Sequence, residues 1–300
     1  MELWLEFWII FMKSNFLWLL VFTASCSHAQ ISFPSADPLM SDWGKVQKPS
    51  KGPSQSIGFY SSGCIAGAVA LDLDGPGFQV MKTERNRYYG HSDLIEFIKT
   101  YAANLNQMGF GVLVGDLSQP RGGPMTFGHS SHQVGLDADI WFWSHPEQRT
   151  RKLTTAERNT LPYISMLNNQ GLVDPKRFNL EHIQKLKFAA TAKAVQRIFI
   201  NPAIKTYLCK ILDKKDSAWL NKLRPWPGHD SHFHVRLHCP KESPFCEMQE
   251  AIPDGDGCSE LLLTQPILKQ NETQYSCEAV QQNNPILRVF PAACESVLKD

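Results

Sequence analysis

The sequence predicts an α+β fold, and three observations carry that expectation. Apolar residues recur at helical spacing over residues 92–108 and again over 180–193. Residues 136–143 alternate with the two-residue period of a strand. Short apolar runs at 111–115 and 195–200 lie among the helical stretches, so helices and short strands are mixed along the chain.

Taken in order, residues 30–53 are rich in Pro, Ser and Gly and read as an extended lead-in. In the helix over 92–108, Leu94, Ile95, Phe97, Ile98, Tyr101, Ala102 and Leu105 fall on one face. Ser92 is placed to cap its start, and Gly109 stands just past its end. In the strand over 136–143, Asp137, Asp139, Trp141 and Trp143 share one face, and Leu136, Ala138, Ile140 and Phe142 share the other. A strand over 195–200 leads to Asn201-Pro202, a cap followed by a first-turn proline, and then to a helix over 203–212. Residues 233–237 read as a further strand. Beyond Cys258 the pattern fades into Gln, Asn and Pro. No internal repeat interrupts this order, so one domain is expected over residues 54–260, followed by a C-terminal extension over 261–300.

The chain has 300 residues, 43% of them apolar and 20% charged, which is a globular composition. Thirty basic side chains against 29 acidic ones leave +1, which argues against a nucleic-acid partner held by bulk charge. An apolar run at 16–23 stands behind Lys13 and ends in Ser27-His28-Ala29. It reads as a secretory signal over residues 1–29, cut after Ala29. Lys13, Ser14 and Asn15 break the run of about 20 apolar residues that an anchor helix needs, so no stable membrane insertion is expected after cleavage.

Export would put Cys64, Cys209, Cys239, Cys246, Cys258, Cys277 and Cys294 in an oxidising space. No C-x-x-C pair occurs, which argues against zinc ribbons and thioredoxin-type motifs. Cys239 and Cys246 are close enough to close a small loop. Cys209 with Cys258 would bracket it, and Cys64 with Cys294 would tie the ends of the domain. Spacing alone leaves this connectivity open, and seven cysteines leave one over.

The histidines carry the chemical signal. Of ten, six lie in two short clusters: His129 and His132, then His229, His232, His234 and His238. Zinc takes imidazole and carboxylate ligands, and a catalytic site keeps three protein ligands and one open position. A loop histidine (His132) and a strand aspartate (Asp139) can reach one ion, with Gly135 between them free to turn sharply. On a strand, His232 and His234 project from the same face, so one can ligate while the other stands beside the open position.

His132-x6-Asp139 with the later His232-x-His234 resembles the zinc peptidases that group lysostaphin-type enzymes, D-Ala-D-Ala metallopeptidases and the hedgehog fold. Ordered blocks at 54–58, 87–91, 128–133, 135–140, 197–205, 224–226 and 234–237 resemble, more closely, the penicillin-insensitive murein endopeptidases of that group. That resemblance implies a single domain with a small antiparallel sheet flanked by helices and stapled by disulfides. It implies Zn2+ on His132, Asp139 and His234, with His232 as proton shuttle and transition-state stabiliser and His229 as its supporting neighbour. It implies the pairs Cys64–Cys294, Cys209–Cys258 and Cys239–Cys246, with Cys277 unmatched. His129 matches a position that helps hold a second zinc at a subunit interface, and with it a homodimer. The Asp and His that complete that second site are absent here, where the chain reads Leu167-Asn-Asn-Gln-Gly-Leu172. The implied substrate is cross-linked peptidoglycan in the periplasm, cut at the D-alanyl–meso-diaminopimelyl amide.

Other features have plainer readings. Arg121 reads as a ligand for a substrate carboxylate or as a solvated loop residue, and Trp141, Trp143 and Trp226 as cleft walls or core. Asp254-Gly-Asp-Gly257 lacks the ligand spacing of a calcium loop and reads as a turn. Two alternative functions stay open: a D,D-carboxypeptidase or dipeptidase of the same superfamily, and a wall-binding protein with a structural zinc.

Overall fold

The computed structural model describes residues 38–259 and 289–300. The signal expected over 1–29 and Cys277 lie outside the described residues. The first described element is a helix, α1 (Pro38–Lys45), where composition predicts extended lead-in. The reason is Trp43, which is 1% exposed and packs with Ile57, Cys64, Cys294 and Val297. Burying one large aromatic side chain orders a segment that composition reads as open.

An antiparallel hairpin, β1 (Gln55–Phe59) and β2 (Ser62–Ala66), follows. Next come β3 (Val69–Ala70), β4 (Asp74–Gly75), β5 (Phe78–Val80) and β6 (Tyr89–Gly90), of which β3 and β6 pair with each other. Helix α2 (Ser92–Gln107) buries all seven residues that its periodicity selects. Its cap is His91 rather than Ser92: the His91 ring accepts a hydrogen bond from the Asp93 N–H at 3.2 Å. Then follow β7 (Val112–Val114), β8 (Asp137–Trp141), α3 (Thr155–Thr160), α4 (Leu180–Thr191), β9 (Val195–Ile200) and α5 (Pro202–Ile211). Asn201 caps α5 by accepting from the Ala203 N–H at 2.8 Å. The last elements are β10 (Leu223–Pro225), β11 (His232–Leu237) and α6 (Ala293–Lys299).

The main sheet runs β10–β9–β11–β8–β7–β5–β4. The strands β9, β11, β8 and β7 pair antiparallel, as expected; parallel pairings add β10 at one edge and β5 beside β7, and β4 closes the other edge antiparallel to β5. The sheet separates chemistry from core. Leu136, Ala138, Ile140, Phe233, Val235, Ile198 and Ile200 point into one apolar cluster with the buried faces of α2, α4 and α5. The opposite face of β8 and β11 carries Asp137, Asp139, His232, His234 and Arg236.

Disulfides join Cys64 to Cys294, Cys209 to Cys258 and Cys239 to Cys246. The first returns the chain end to the hairpin. Arg121 reinforces it by donating to the carbonyls of Val297 and Leu298 at 3.0 and 2.8 Å, in the last turn of α6. Arg121 is thus a tether for that helix. Residues 254–257 form a turn whose Asp256 carbonyl accepts from Lys205 at 2.7 Å. Among the described residues no helix is long and apolar enough to cross a membrane.

Arg158, on α3, holds the β4–β5 edge. It donates to the carbonyls of Leu73, Val80 and Leu153 at 2.9, 2.9 and 3.0 Å, to Gln79 at 2.9 Å, and to Asp74. Arg158→Ala would strand these buried acceptors. It is expected to cost about 3 kcal/mol in urea unfolding, with Arg158→Lys recovering only part. A loss under 1 kcal/mol would contradict this account of the edge.

Candidate active site

Strand pairing assembles the centre. Across β8 and β11, Asp137 is opposite Arg236, Asp139 opposite His234, and Trp141 opposite His232. Side chains on one face of directly paired strands stand close together, so two imidazoles and two carboxylates face one another without any special loop.

The loops bring in the rest. His132 sits in the left-handed region at φ 67°, and its N–H donates to Asp137 Oδ2 at 3.1 Å. Gly135 turns the chain back at φ 72°. A Cβ there would lie 2.4 Å from Ile65 Cδ1, so only glycine fits. Gln133 fastens this loop to the hairpin by donating to the Ser61 carbonyl at 2.9 Å and accepting from the Gly63 N–H at 3.1 Å. On the other side, His229 is left-handed at φ 51°, with its ring centroid 5.0 Å from that of His232. Non-glycine residues held in this region cost energy that the surroundings must over-determine, and here two of the four among the described residues are histidines of the cluster.

The two oxygens of Asp139 divide the histidines. Oδ1 lies 3.4 Å from His132 Nε2 and 3.5 Å from His234 Nδ1; Oδ2 lies 3.5 Å from His129 Nε2 and 3.7 Å from His232 Nε2. His129, His132 and Asp139 offer ligand atoms within 4.8 Å of one another. Asp139 Oδ1 and His132 Nε2 are buried and make no hydrogen bond among the described residues. Such stranded groups are costly, about 1–3 kcal/mol each, unless something satisfies them. Imidazole nitrogens converging with a carboxylate oxygen are the donor set that zinc takes, so these residues fit a divalent metal.

Electrostatics agrees with that use. Burial alone would raise the Asp139 carboxyl, but His232, His132 and His129 outweigh it and hold it well below the usual carboxylate range. Burial pulls His234 down to about 3 despite Asp137, so its ring is neutral at pH 7, the form that can donate a lone pair to a metal. His129 goes the other way: burial would lower it, but Asp139 and the hydrogen-bonded Asp116 raise it. Burial and the neighbouring His232 lower His229.

A cleft of about 260 Å3 opens beside the cluster, lined in part by His129, Phe199, Trp226, His229 and His234. Trp226 is a true cleft wall, 55% exposed and edge-on to Phe199, whereas Trp141 is buried in a cluster with Met81 and Leu113.

The structure therefore brings His129, His132, Asp139, His229, His232 and His234 into one centre. His238, from the second sequence cluster, falls outside it and donates its N–H to the Ala194 carbonyl. Sequence reasoning gave Asp116 no task. This buried carboxylate receives His129 Nε2 at 3.1 Å, Arg85 at 2.8 Å and Arg87 at 3.1 Å, all on the same oxygen. It also gave Asp137 a face but no task; the signal available was Asp137 two residues before Asp139, mirrored by Arg236 two after His234.

Comparison with known proteins gives consistent results. A family model described as penicillin-insensitive murein endopeptidase matches residues 56–299. The penicillin-insensitive murein endopeptidase of Haemophilus influenzae is 42% identical over 231 residues, covering 76% of this chain and 79% of that protein. The proteins of that name from Klebsiella pneumoniae subsp. pneumoniae and Escherichia coli O1:K1 are 44% identical over 218 residues and 43% over 227. These alignments cover 72% and 75% of this chain, and 78% and 81% of the two relatives.

Proposed function

The chain belongs to the penicillin-insensitive murein endopeptidase family, and from that footing we propose that it is a zinc-dependent enzyme cutting the D-alanyl–meso-diaminopimelyl amide of cross-linked peptidoglycan. It is a peptidase that acts on murein, and hence an enzyme of the cell envelope. The periplasm is the compartment that fits a murein substrate, three disulfides and the secretory signal read in the sequence.

The observation that carries the zinc reading is Asp139 Oδ1, buried, without a hydrogen bond among the described residues, and within 3.5 Å of both His132 Nε2 and His234 Nδ1. We assign His132, Asp139 and His234 as the ligands. Zinc held there supplies a Lewis acid that polarises the scissile carbonyl and makes water acidic enough to attack near neutral pH. His232 stands at the other oxygen of Asp139, and its side chain is partly exposed. Its Nε2 takes the proton of the attacking water, passes it to the departing amino group and faces the developing oxyanion. His229 packs against His232 and limits its ring positions. No serine acts in this scheme, so a β-lactam has no nucleophile to acylate.

His129 belongs to the same centre rather than to a second ion. Its Nε2 is engaged by Asp116, and two guanidinium groups converge on that carboxylate, which makes the position hostile to another cation. A homodimer built on a second zinc is therefore not part of the proposal.

Digestion of purified sacculi, followed by chromatography of the muropeptides, tests this reading. Cross-linked dimers are expected to convert to monomers, the reaction stopping with chelator and resuming with added zinc. Loss of terminal D-alanine with dimers intact would give the carboxypeptidase reading instead. Binding to sacculi without any cleavage would give the wall-binding one.

A further inference from the structure

Asp137 is fully buried, two residues before Asp139 on the same strand face, and does not border the cleft. Three N–H groups donate to its two oxygens, and one imidazole nitrogen stands beside them. Oδ1 accepts from Arg236 Nε at 2.8 Å and lies 3.3 Å from His234 Nε2. Oδ2 accepts from Arg236 Nη2 at 2.9 Å and from the His132 N–H at 3.1 Å. Arg236 is held in turn between the rings of Tyr60 and Phe199, with its guanidinium carbon 4.1 and 4.9 Å from their centroids. Two of the three proposed ligands thus rest on one carboxylate, itself fixed by a bidentate arginine.

The consequence is chemical. A neutral imidazole carries its proton on one nitrogen only. His234 Nε2 is buried and makes no hydrogen bond among the described residues, and the carboxylate oxygen 3.3 Å from it, Asp137 Oδ1, is the acceptor placed to take its proton. A proton there leaves the lone pair on Nδ1, the nitrogen 3.5 Å from Asp139 Oδ1. At the same time the hydrogen bond from the His132 N–H helps offset the left-handed backbone that aims His132 at the same oxygen. We propose that Asp137 is the positioning residue of this centre, setting the tautomer of His234 and the backbone of His132 together. The proposal rests on the zinc reading above, because it gives those two histidines their use.

Asp137→Asn tests it. The side chain keeps its shape but turns an N–H toward groups that are themselves donors. In metal-free, histidine-labelled protein, long-range 1H–15N spectra are expected to show His234 protonated on Nε2 in the parent and shifted toward Nδ1–H in the variant. The zinc dissociation constant, measured by competition with a chelator, is expected to rise about 10- to 100-fold. Arg236→Lys keeps the positive charge and loses the fork. It should give a mixture of tautomers and a smaller rise, and it carries the test alone if Asp137→Asn does not fold. Unchanged tautomer and unchanged zinc affinity in the variants would overturn the proposal, as would a parent protein protonated on Nδ1. A parent that binds no zinc would overturn the zinc reading instead, while the tautomer of the metal-free protein would still report on Asp137.

Discussion

Asp139→Ala is expected to yield a folded protein that neither hydrolyses murein nor gains stability from zinc. Asp139 lies on the polar face of β8, away from the apolar cluster, so its side chain can be removed without opening the core. What disappears is the oxygen on which His132 and His234 converge. Turnover is expected to fall about 10,000-fold or more, a barrier increase of about 5 kcal/mol. Thermal unfolding supplies the second readout. Zinc at a hundredfold excess over its dissociation constant should stabilise the parent by about 2.7 kcal/mol and the variant hardly at all. Turnover within tenfold of the parent would mean that the metal, or the reaction, lies elsewhere.

His232→Ala should separate metal binding from catalysis. His232 is near Asp139 through Oδ2 and not through Oδ1, the oxygen shared by His132 and His234, and its side chain keeps some exposure. Its loss is expected to lower turnover about 100- to 10,000-fold, the usual span for a positioned proton carrier. Zinc content should stay at one per chain, and Michaelis constants should move little, because the ring acts on the transition state more than on bound substrate. If zinc were lost with activity, His232 would be a ligand and His234 would need another role. If turnover were near normal, the proton would travel by another route.

How far the centre could be read from the sequence depends on the range of the interactions involved. Local periodicity suffices for α2, whose seven buried residues follow from a 3.6-residue repeat, and for the shared face of His232 and His234. What no local pattern states is register. That Asp139 pairs with His234, and Asp137 with Arg236, depends on how β8 and β11 slide past each other, and a one-residue slip would turn the histidines into the core. The hairpin of β1 and β2 was hidden for a related reason: its turn, Tyr60-Ser61, carries none of the Asn-Gly chemistry that marks such turns. Asp116 is silent in sequence because its task is defined by Arg85, Arg87 and His129, which come from two separate loops. The helix α1 has no local signature because the partners of Trp43 include Cys294 and Val297, some 250 residues further along. The resemblance supplied what spacing could not, above all the disulfide pairs later seen in the structure.

Anomalous diffraction at the zinc edge, from crystals grown with the metal, tests the whole reading at its root. A single strong peak is expected within bonding distance of His132 Nε2, Asp139 Oδ1 and His234 Nδ1, with one side of the ion open to the cleft beneath Trp226. A peak between His129 and Asp116 instead, or a fourth side chain closing that side, would contradict the hydrolytic centre described above.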